Sequence, residues 1–240
     1  MKRPRTPLDG RDVKVVGLGG IGSTVAYGMA QFLAFRAPGA RLFLVDGDVY
    51  EERNRERMRF AASGINKAMA QAEELGAAFG DAVSVIPVNR WATPSTIHKL
   101  MTESDLVFLC VDNHKTRKLA SNRAARLADC VLISSGNDGV EDGRTGTFGN
   151  VQVYIRRKGR NATNPLTRFH PEIARPRDKR PDEMGCVELA ATAVQIGITN
   201  LAVASAALSA FYAWYCGALE HEEIYLDILR GSMTGVKRVC

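Results

Sequence analysis

Asp12-Val13-Lys14-Val15-Val16-Gly17-Leu18-Gly19-Gly20-Ile21-Gly22 is the stretch whose reading decides the fold. Asp12–Leu18 is a short β-branched run that ends in glycines, which predicts a buried parallel strand. Gly22–Phe35 then has helical spacing and stops at the chain-breaking cluster Ala37-Pro38-Gly39. Glycines between such a strand and helix let the backbone turn tightly and approach a phosphate, which the free N–H groups of the helix N-terminus stabilise. Gly17, Gly19, Gly20 and Gly22 are therefore candidate nucleotide-binding residues. Alone they specify only a nucleotide of some kind, and NAD, FAD and ATP folds all qualify; the bland alternative is a tight turn with no ligand.

Working outward, strands are expected at Arg41–Val45, Ala82–Val88, Asp105–Val111 and Cys130–Ser134, with helices at Asn66–Phe79, Pro94–Met101 and His114–Asp129. Alternating strands and helices imply parallel strands joined by right-handed crossovers, an α/β doubly wound sheet. After Ser135 the pattern changes. Thr147–Ile155 alternates like an antiparallel strand, residues 187–217 read as mostly helical, and Glu222–Leu229 with Gly235–Val239 reads as a hairpin around Gly231-Ser232. Residues 156–180 hold nine Lys or Arg against two acids and three prolines, with little periodicity. Either an ordered crossing loop or a mobile one fits. With no internal repeat, one domain over 1–240 is the economical reading: a nucleotide-binding half at 11–135, and a second half at 136–240 with antiparallel strands, a crossing loop at 156–186 and a terminal helix and hairpin.

Hydrophobic residues make up 45% and charged residues 24%, the balance of an ordinary soluble globular protein. The longest apolar run, Ile196–Cys216, is interrupted by Thr199, Asn200, Ser205 and Ser209 and reads as a buried helix, with no membrane partner. The basic N-terminus lacks an apolar stretch and is no secretory signal. Five cysteines without a Cys-x-x-Cys pair argue against a disulfide framework and a four-thiolate zinc site, and place the chain in a reducing cytoplasm. A net charge of +6 is compatible with an acidic partner or with nucleic acid, and decides neither.

The chemistry sharpens after the second strand. Asp46 ends that strand, where an acid accepts hydrogen bonds from ribose hydroxyls. To this point an NAD(P)-dependent oxidoreductase explains everything. Asp48, Asn54, Arg57 and Lys67 then follow in a polar excursion that a dinucleotide site has no evident need for. An ATP site does need it: arginine and lysine neutralise the triphosphate and an acid holds Mg²⁺. The bland alternative is a solvated face of surface ion pairs. Asp112-Asn113 at the end of the fourth strand would point into the same crevice, Asp112 as a Mg²⁺ ligand; a helix cap is the alternative.

The ordered series Gly17-x-Gly-Gly-x-Gly22, Asp46-x-Asp48, Asn54-x-x-Arg57, Gly64-x-x-Lys67 and Asp112-Asn113-x-x-x-Arg117 resembles the adenylation domain of the ThiF/MoeB/ubiquitin-activating enzyme superfamily, over residues 11–135. The resemblance implies a Rossmann-like sheet, ATP and Mg²⁺, and adenylation of the C-terminal glycine carboxylate of a small ubiquitin-like or sulfur-carrier-like protein. It implies ribose binding by Asp46, phosphate binding by Asn54, Arg57 and Lys67, metal binding by Asp112, and a homodimer. Three departures point to a compact, divergent bacterial branch. The family's glutamine after Arg57 is Met58, the paired Cys-x-x-Cys site is absent, and the N-terminal extension whose arginine reaches the other subunit is largely missing. Arg3, Arg5 and Arg11 are the arginines available in its place.

Cys186 is the second chemical question. It follows the basic loop and precedes the long helix, where a thiol has a depressed pKa and is a competent nucleophile. Cys110 and Cys130 in core strands and Cys216 late in an apolar helix read as inert buried thiols. In the ubiquitin-activating branch a cysteine beyond the crossing loop takes the activated carboxylate as a thioester, in concert with a conjugating enzyme, whereas other members stop at the adenylate; both outcomes stay open for Cys186. The basic loop reads as a clamp over a partner's extended tail or as a plain surface segment. Other readings are adenylation of a peptide C-terminus or tRNA-borne carboxylate, the oxidoreductase, and a subunit that keeps the fold without activity.

Overall fold

A computed structural model describes residues 6–56, 58, 63–140, 143–184 and 195–238. Its centre is a nine-stranded sheet ordered β3-β2-β1-β4-β5-β6-β8-β9, with β7 paired to β6 off that path. The strands are β1 Val13–Val16, β2 Ala40–Val45, β3 Val83–Val88, β4 Leu106–Leu109, β5 Cys130–Asn137, β6 Phe148–Arg157, β7 Arg160–Asn161, β8 Glu223–Asp227 and β9 Ser232–Val236. β1 to β5 pair in parallel; β6 turns antiparallel to β5, and β7 to β9 continue antiparallel. This is the doubly wound, mostly parallel α/β sheet that the alternation predicts. Strand order reverses between β1 and β4, and the carboxyl ends there form the crevice where such sheets bind ligands.

Helices α1 (Gly20–Arg36), α2 (Lys67–Phe79), α3 (Ile97–Leu100), α4 (His114–Ala124), α5 (Pro171–Ala174) and α6 (Gly197–Tyr215) cover the sheet. Val13, Val15, Val131, Ile133, Val151 and Val153 face one way and bury against α1, α2 and α6. Val16, Val107, Leu109, Leu132 and Tyr154 face the other way, with Ala120 and Ala124 of α4, Ile173 of α5 and Leu166. This period-two alternation gives the parallel strands two cores, one on each face. α1 and α6 approach closely because Ala26, Ala30, Ala204, Ala207 and Ala210, all buried, keep their contact line thin.

Several boundaries differ from the expected ones. α3 spans only Ile97–Leu100 rather than Pro94–Met101, because the Thr96 hydroxyl bonds back to the Trp91 carbonyl and accepts the Thr93 N–H, holding the chain in a turn. β4 ends at Leu109, and β5 runs on to Asn137 because Gly136 and Asn137 find antiparallel partners in Asn150 and Gly149. The last strand is Ser232–Val236 rather than Gly235–Val239. Residues 156–184 are ordered by tertiary contacts: Leu166 and Ile173 are buried, and Asn164 donates from N and Nδ2 to Glu222, 2.8 Å each. Cys216 is a correction, since it caps the end of α6 and is exposed rather than buried. Among the described residues no helix is long and apolar enough to cross a membrane.

Candidate nucleotide site at the carboxyl edge of the sheet

The glycine turn leaves β1 through Gly17, whose N–H donates to the Val45 carbonyl at 2.9 Å. Gly17 has φ +87°, and a Cβ there would press on the Cys110 carbonyl, so only glycine makes this bend without strain. Gly22 is equally constrained, since a Cβ would overlap the Gly17 carbonyl, and one on Gly20 would overlap the Asn200 carboxamide of α6. Gly19 is different: nothing of the protein lies within 4 Å of the place a Cβ would take. It is the N-cap of α1, makes no side-chain cap, and α1 carries no acid in its first turn. No side chain therefore caps the first N–H groups of α1, which carry the partial positive charge of a helix start.

Asp46 lies at the base of the turn. One carboxylate oxygen accepts the Leu18 N–H at 2.6 Å and the other the Asp48 N–H at 2.8 Å. Burial pushes its pKa up to about 6, with Lys67 pulling it down and Asp48 pushing it up. Each oxygen keeps a lone pair for a ligand hydroxyl while the backbone bonds fix its aim. Lys67, the first residue of α2, is buried and sits 3.1 Å from Asp48 Oδ2, while Asp48 Oδ1 accepts the Trp91 indole N–H at 3.1 Å. The Trp91 ring lies against Gly47, leaving no room there for a side chain. Lys67 thus arrives paired with Asp48 rather than as a free cation.

Asn66 is a contributor that the motif reading missed. Its Nδ2 donates to the carbonyls of Asp46 and Asp48 and to Asn89 Oδ1, at 3.0, 2.8 and 2.9 Å, and its Oδ1 caps α2 through the Met69 N–H. One side chain thereby ties the Asp46–Asp48 loop to both β3 and α2. The only signal for it in the sequence was its place as the cap of the expected helix. Asn54 is buried, and its Oδ1 accepts the Glu51 N–H at 3.0 Å, so Nδ2 is the part it can offer a phosphate. Arg57 and Cys186 lie outside the described residues.

At the end of β4, Asp112 is exposed while its neighbour Asn113 is buried and caps α4, accepting the Thr116 N–H at 2.8 Å. For Asn113 the cap reading holds, and its Oδ1 is committed. Arg117 is a buried brace: it donates to the Val111 carbonyl, the Ser134 hydroxyl and the Ser135 carbonyl at 2.8, 3.1 and 2.9 Å, tying the end of β4 to β5. Burial lowers its pKa. Arg11, a candidate for reaching a second subunit, is instead held at the amino edge of the sheet. It donates to the Pro7 and Ser104 carbonyls and lies over Trp214 at 5.6 Å. Among the described residues no three His, Cys, Asp or Glu side chains could hold a metal by themselves. Mg²⁺ needs no such cage, because one or two carboxylates plus substrate phosphates bind it. The exposed Asp112 is one carboxylate that could serve in that mode. Burial raises the Cys110 and Cys130 thiols to about 11 and about 12, so neither serves as a nucleophile.

The chain is 38% identical over 126 residues to the adenylyltransferase and sulfurtransferase MOCS3 of Bos taurus, and 37% identical over 126 residues to that of Sus scrofa. The match covers 51% of this chain and 26% of either relative, so it spans about a quarter of their length. Among solved structures, E. coli MccB with MccA-N7isoAsn superposes with a TM-score of 0.70 at 16% identity, over 98% of this chain and 67% of that one. PaaA superposes at 0.68 and 18% identity, over 96% and 74%. E. coli MccB crystallised with ATP gives 0.66 at 16% identity, over 98% and 67%. At such identities these structures speak to the fold. The model of the ThiF family matches residues 7–235, nearly the full length, and the chain belongs to that family.

Proposed function

We propose that this protein adenylates a carboxylate, binding ATP on the glycine turn and joining AMP to the C-terminal carboxylate of a small partner protein. The observation that carries this reading is the uncapped α1 N-terminus above Asp46, with Gly19 open in front of it. MOCS3 is named an adenylyltransferase, and MccB was crystallised with ATP and, separately, with AMPCPP and MccA. In the proposed reaction a partner carboxylate oxygen attacks the α-phosphorus in line, an acyl–phosphate bond forms, and pyrophosphate leaves. Asp46 orients the ribose. The α1 N–H groups, Asn54, Arg57 and Lys67 hold the phosphates, and Asp112 would hold Mg²⁺, whose charge offsets that of the triphosphate. Positioning and charge neutralisation dominate such a displacement.

The partner is a ubiquitin-like or sulfur-carrier-like protein ending in glycine, met by a chain of net charge +6. A second copy of the chain covers the α1–α6 face. There Tyr27, Phe35, Ile198, Leu201 and Tyr212 stay exposed around a cleft of about 580 Å³ lined by Met29, Phe32 and Leu208. ATP–pyrophosphate exchange in the presence of the partner, abolished in Asp112→Ala, is the direct test; exchange that survives the change sinks the metal assignment. A partner adduct cleaved by thiol reductant and missing in Cys186→Ala assigns the thioester step to that residue, and an adduct persisting in the mutant denies it.

A further inference from the structure

The segment between β7 and residue 184 crosses the face of the sheet as a strap. It is fastened to the C-terminal hairpin by His170, whose Nδ1 lies 2.8 Å from Glu172 and whose Nε2 lies 3.0 Å from Glu223. Farther along, Asp178 accepts the N–H groups of His114 and Lys115 at 2.5 and 3.1 Å, filling the N-terminus of α4 immediately behind Asp112. Lys118 donates to the Ala174 carbonyl and Lys115 pairs with Glu183, both at 2.8 Å, so the strap lies along α4.

An ionised carboxylate only accepts hydrogen bonds, so a ring with a carboxylate at each nitrogen must donate from both. Glu223 is ionised: its other oxygen accepts the Tyr225 hydroxyl at 2.5 Å and Arg238 at 2.8 Å. Arg238 also lies over Phe169, the strap residue next to His170, at 5.2 Å. We infer that His170 is an imidazolium cation, and that by bridging Glu172 and Glu223 it is the positioning residue that seats Asp178 on the α4 N-terminus. Its functional meaning, a strap set beside the adenylation centre, rests on the function proposed above; its protonation and its hold on Asp178 do not.

The groups facing His170 agree. Glu172 comes from the strap, Glu223 and Tyr225 from β8, Arg238 from the segment after β9, and His114 from α4. Burial works to lower the His170 pKa, but Glu223 and Glu172 together outweigh it and raise it. Burial, Arg117 and the His170 cation itself lower that of His114. His170 has a raised folded pKa, so its contribution is fully present below its ordinary value of about 6.5 and is lost as pH rises through the folded value.

The test is ¹⁵N NMR of the full-length protein. At pH 7 both His170 ring nitrogens should show imidazolium shifts that give way only at higher pH. A neutral tautomer at pH 7 overturns the inference. In His170→Gln, amide exchange across 164–184 should rise about tenfold, and the His114 and Lys115 amide resonances should shift as Asp178 leaves them. Unchanged resonances for those two amides in a folded variant overturn the positioning role. Both readouts need neither ATP nor a partner, so failure of the adenylation reading would leave them standing.

Discussion

Two helices begin at the same edge of the sheet, and their N-termini are treated in opposite ways. α1 starts at Gly20 with no side chain on its free N–H groups. α4 starts at His114 with two, the Asn113 cap and the Asp178 carboxylate brought by the strap. Both ends carry the same partial positive charge. The bare end is the one on which the proposed ATP site rests, while the other is filled by the protein's own carboxylate. The filled end instead holds a piece of chain in place.

The sharpest way to break the comparison is to make the two ends alike. Gly19→Asp puts a cap carboxylate into space the protein leaves empty. The unliganded protein should gain roughly a few tenths of a kcal/mol from the cap, while ATP affinity should fall on the order of 100-fold as the carboxylate repels the phosphates. Calorimetry for binding and thermal unfolding for stability would show the two moving in opposite directions; a variant that binds ATP as well as the parent removes α1 from the site.

Next in size is pH. Ionised, Asp46 accepts from ribose hydroxyls at both oxygens, and burial pushes its pKa up to about 6. Nucleotide affinity should therefore drop about tenfold for each pH unit below that value. Without ligand the linkage has the reverse sense: a raised carboxyl pKa stabilises the fold most below its ordinary value, and this contribution is lost as pH rises through about 6. An ATP affinity that stays flat from about pH 5 to about pH 8 would contradict the ribose role.

Emptying the other end should cost less. Asp178→Ala removes one of the two caps of α4 and should destabilise the protein by about 1 kcal/mol, with Asp178→Asn recovering part of that in denaturant titrations. The smallest effect is the pH window of the strap. Against its burial, Glu223 is held down to about 2 by His170, Arg238 and Tyr225. It stabilises the fold above its ordinary pKa and loses this as pH falls toward about 2, whereas the His170 contribution is lost as pH rises past its ordinary value of about 6.5 through its raised folded value. Thermal stability of the parent should thus exceed that of Glu223→Gln most clearly between these limits.

The glycine turn at the bare end was legible in the sequence, and the strap at the filled end was not. Val13–Gly22, Asp46 and Lys67 act through neighbours along the chain or at the ends of adjacent parallel strands, so periodicity and motif spacing are enough to place them. The strap has no periodicity because its order comes from partners far away in sequence: Asp178 with His114, Asn164 with Glu222, His170 with Glu223. Each single-residue contact of this kind leaves no local pattern. Lys14 is a smaller case: it sits buried in the apolar first strand because Asp105, just before β4, neutralises it at 2.7 Å. For the site, residue types pointed to Asp46, Lys67 and Asp112, but the way Asn66 knits three segments together depends on tertiary approach. Asn113 carried both of its readings until its cap bond was seen.

One measurement bears on the central claim most directly: titration of the protein with ATP and Mg²⁺, set against NADH, for the parent and for Gly19→Asp. The account predicts saturable ATP binding that Gly19→Asp weakens on the order of 100-fold and NADH does not compete for. NADH binding in place of ATP, or ATP bound equally well by the two proteins, would contradict it.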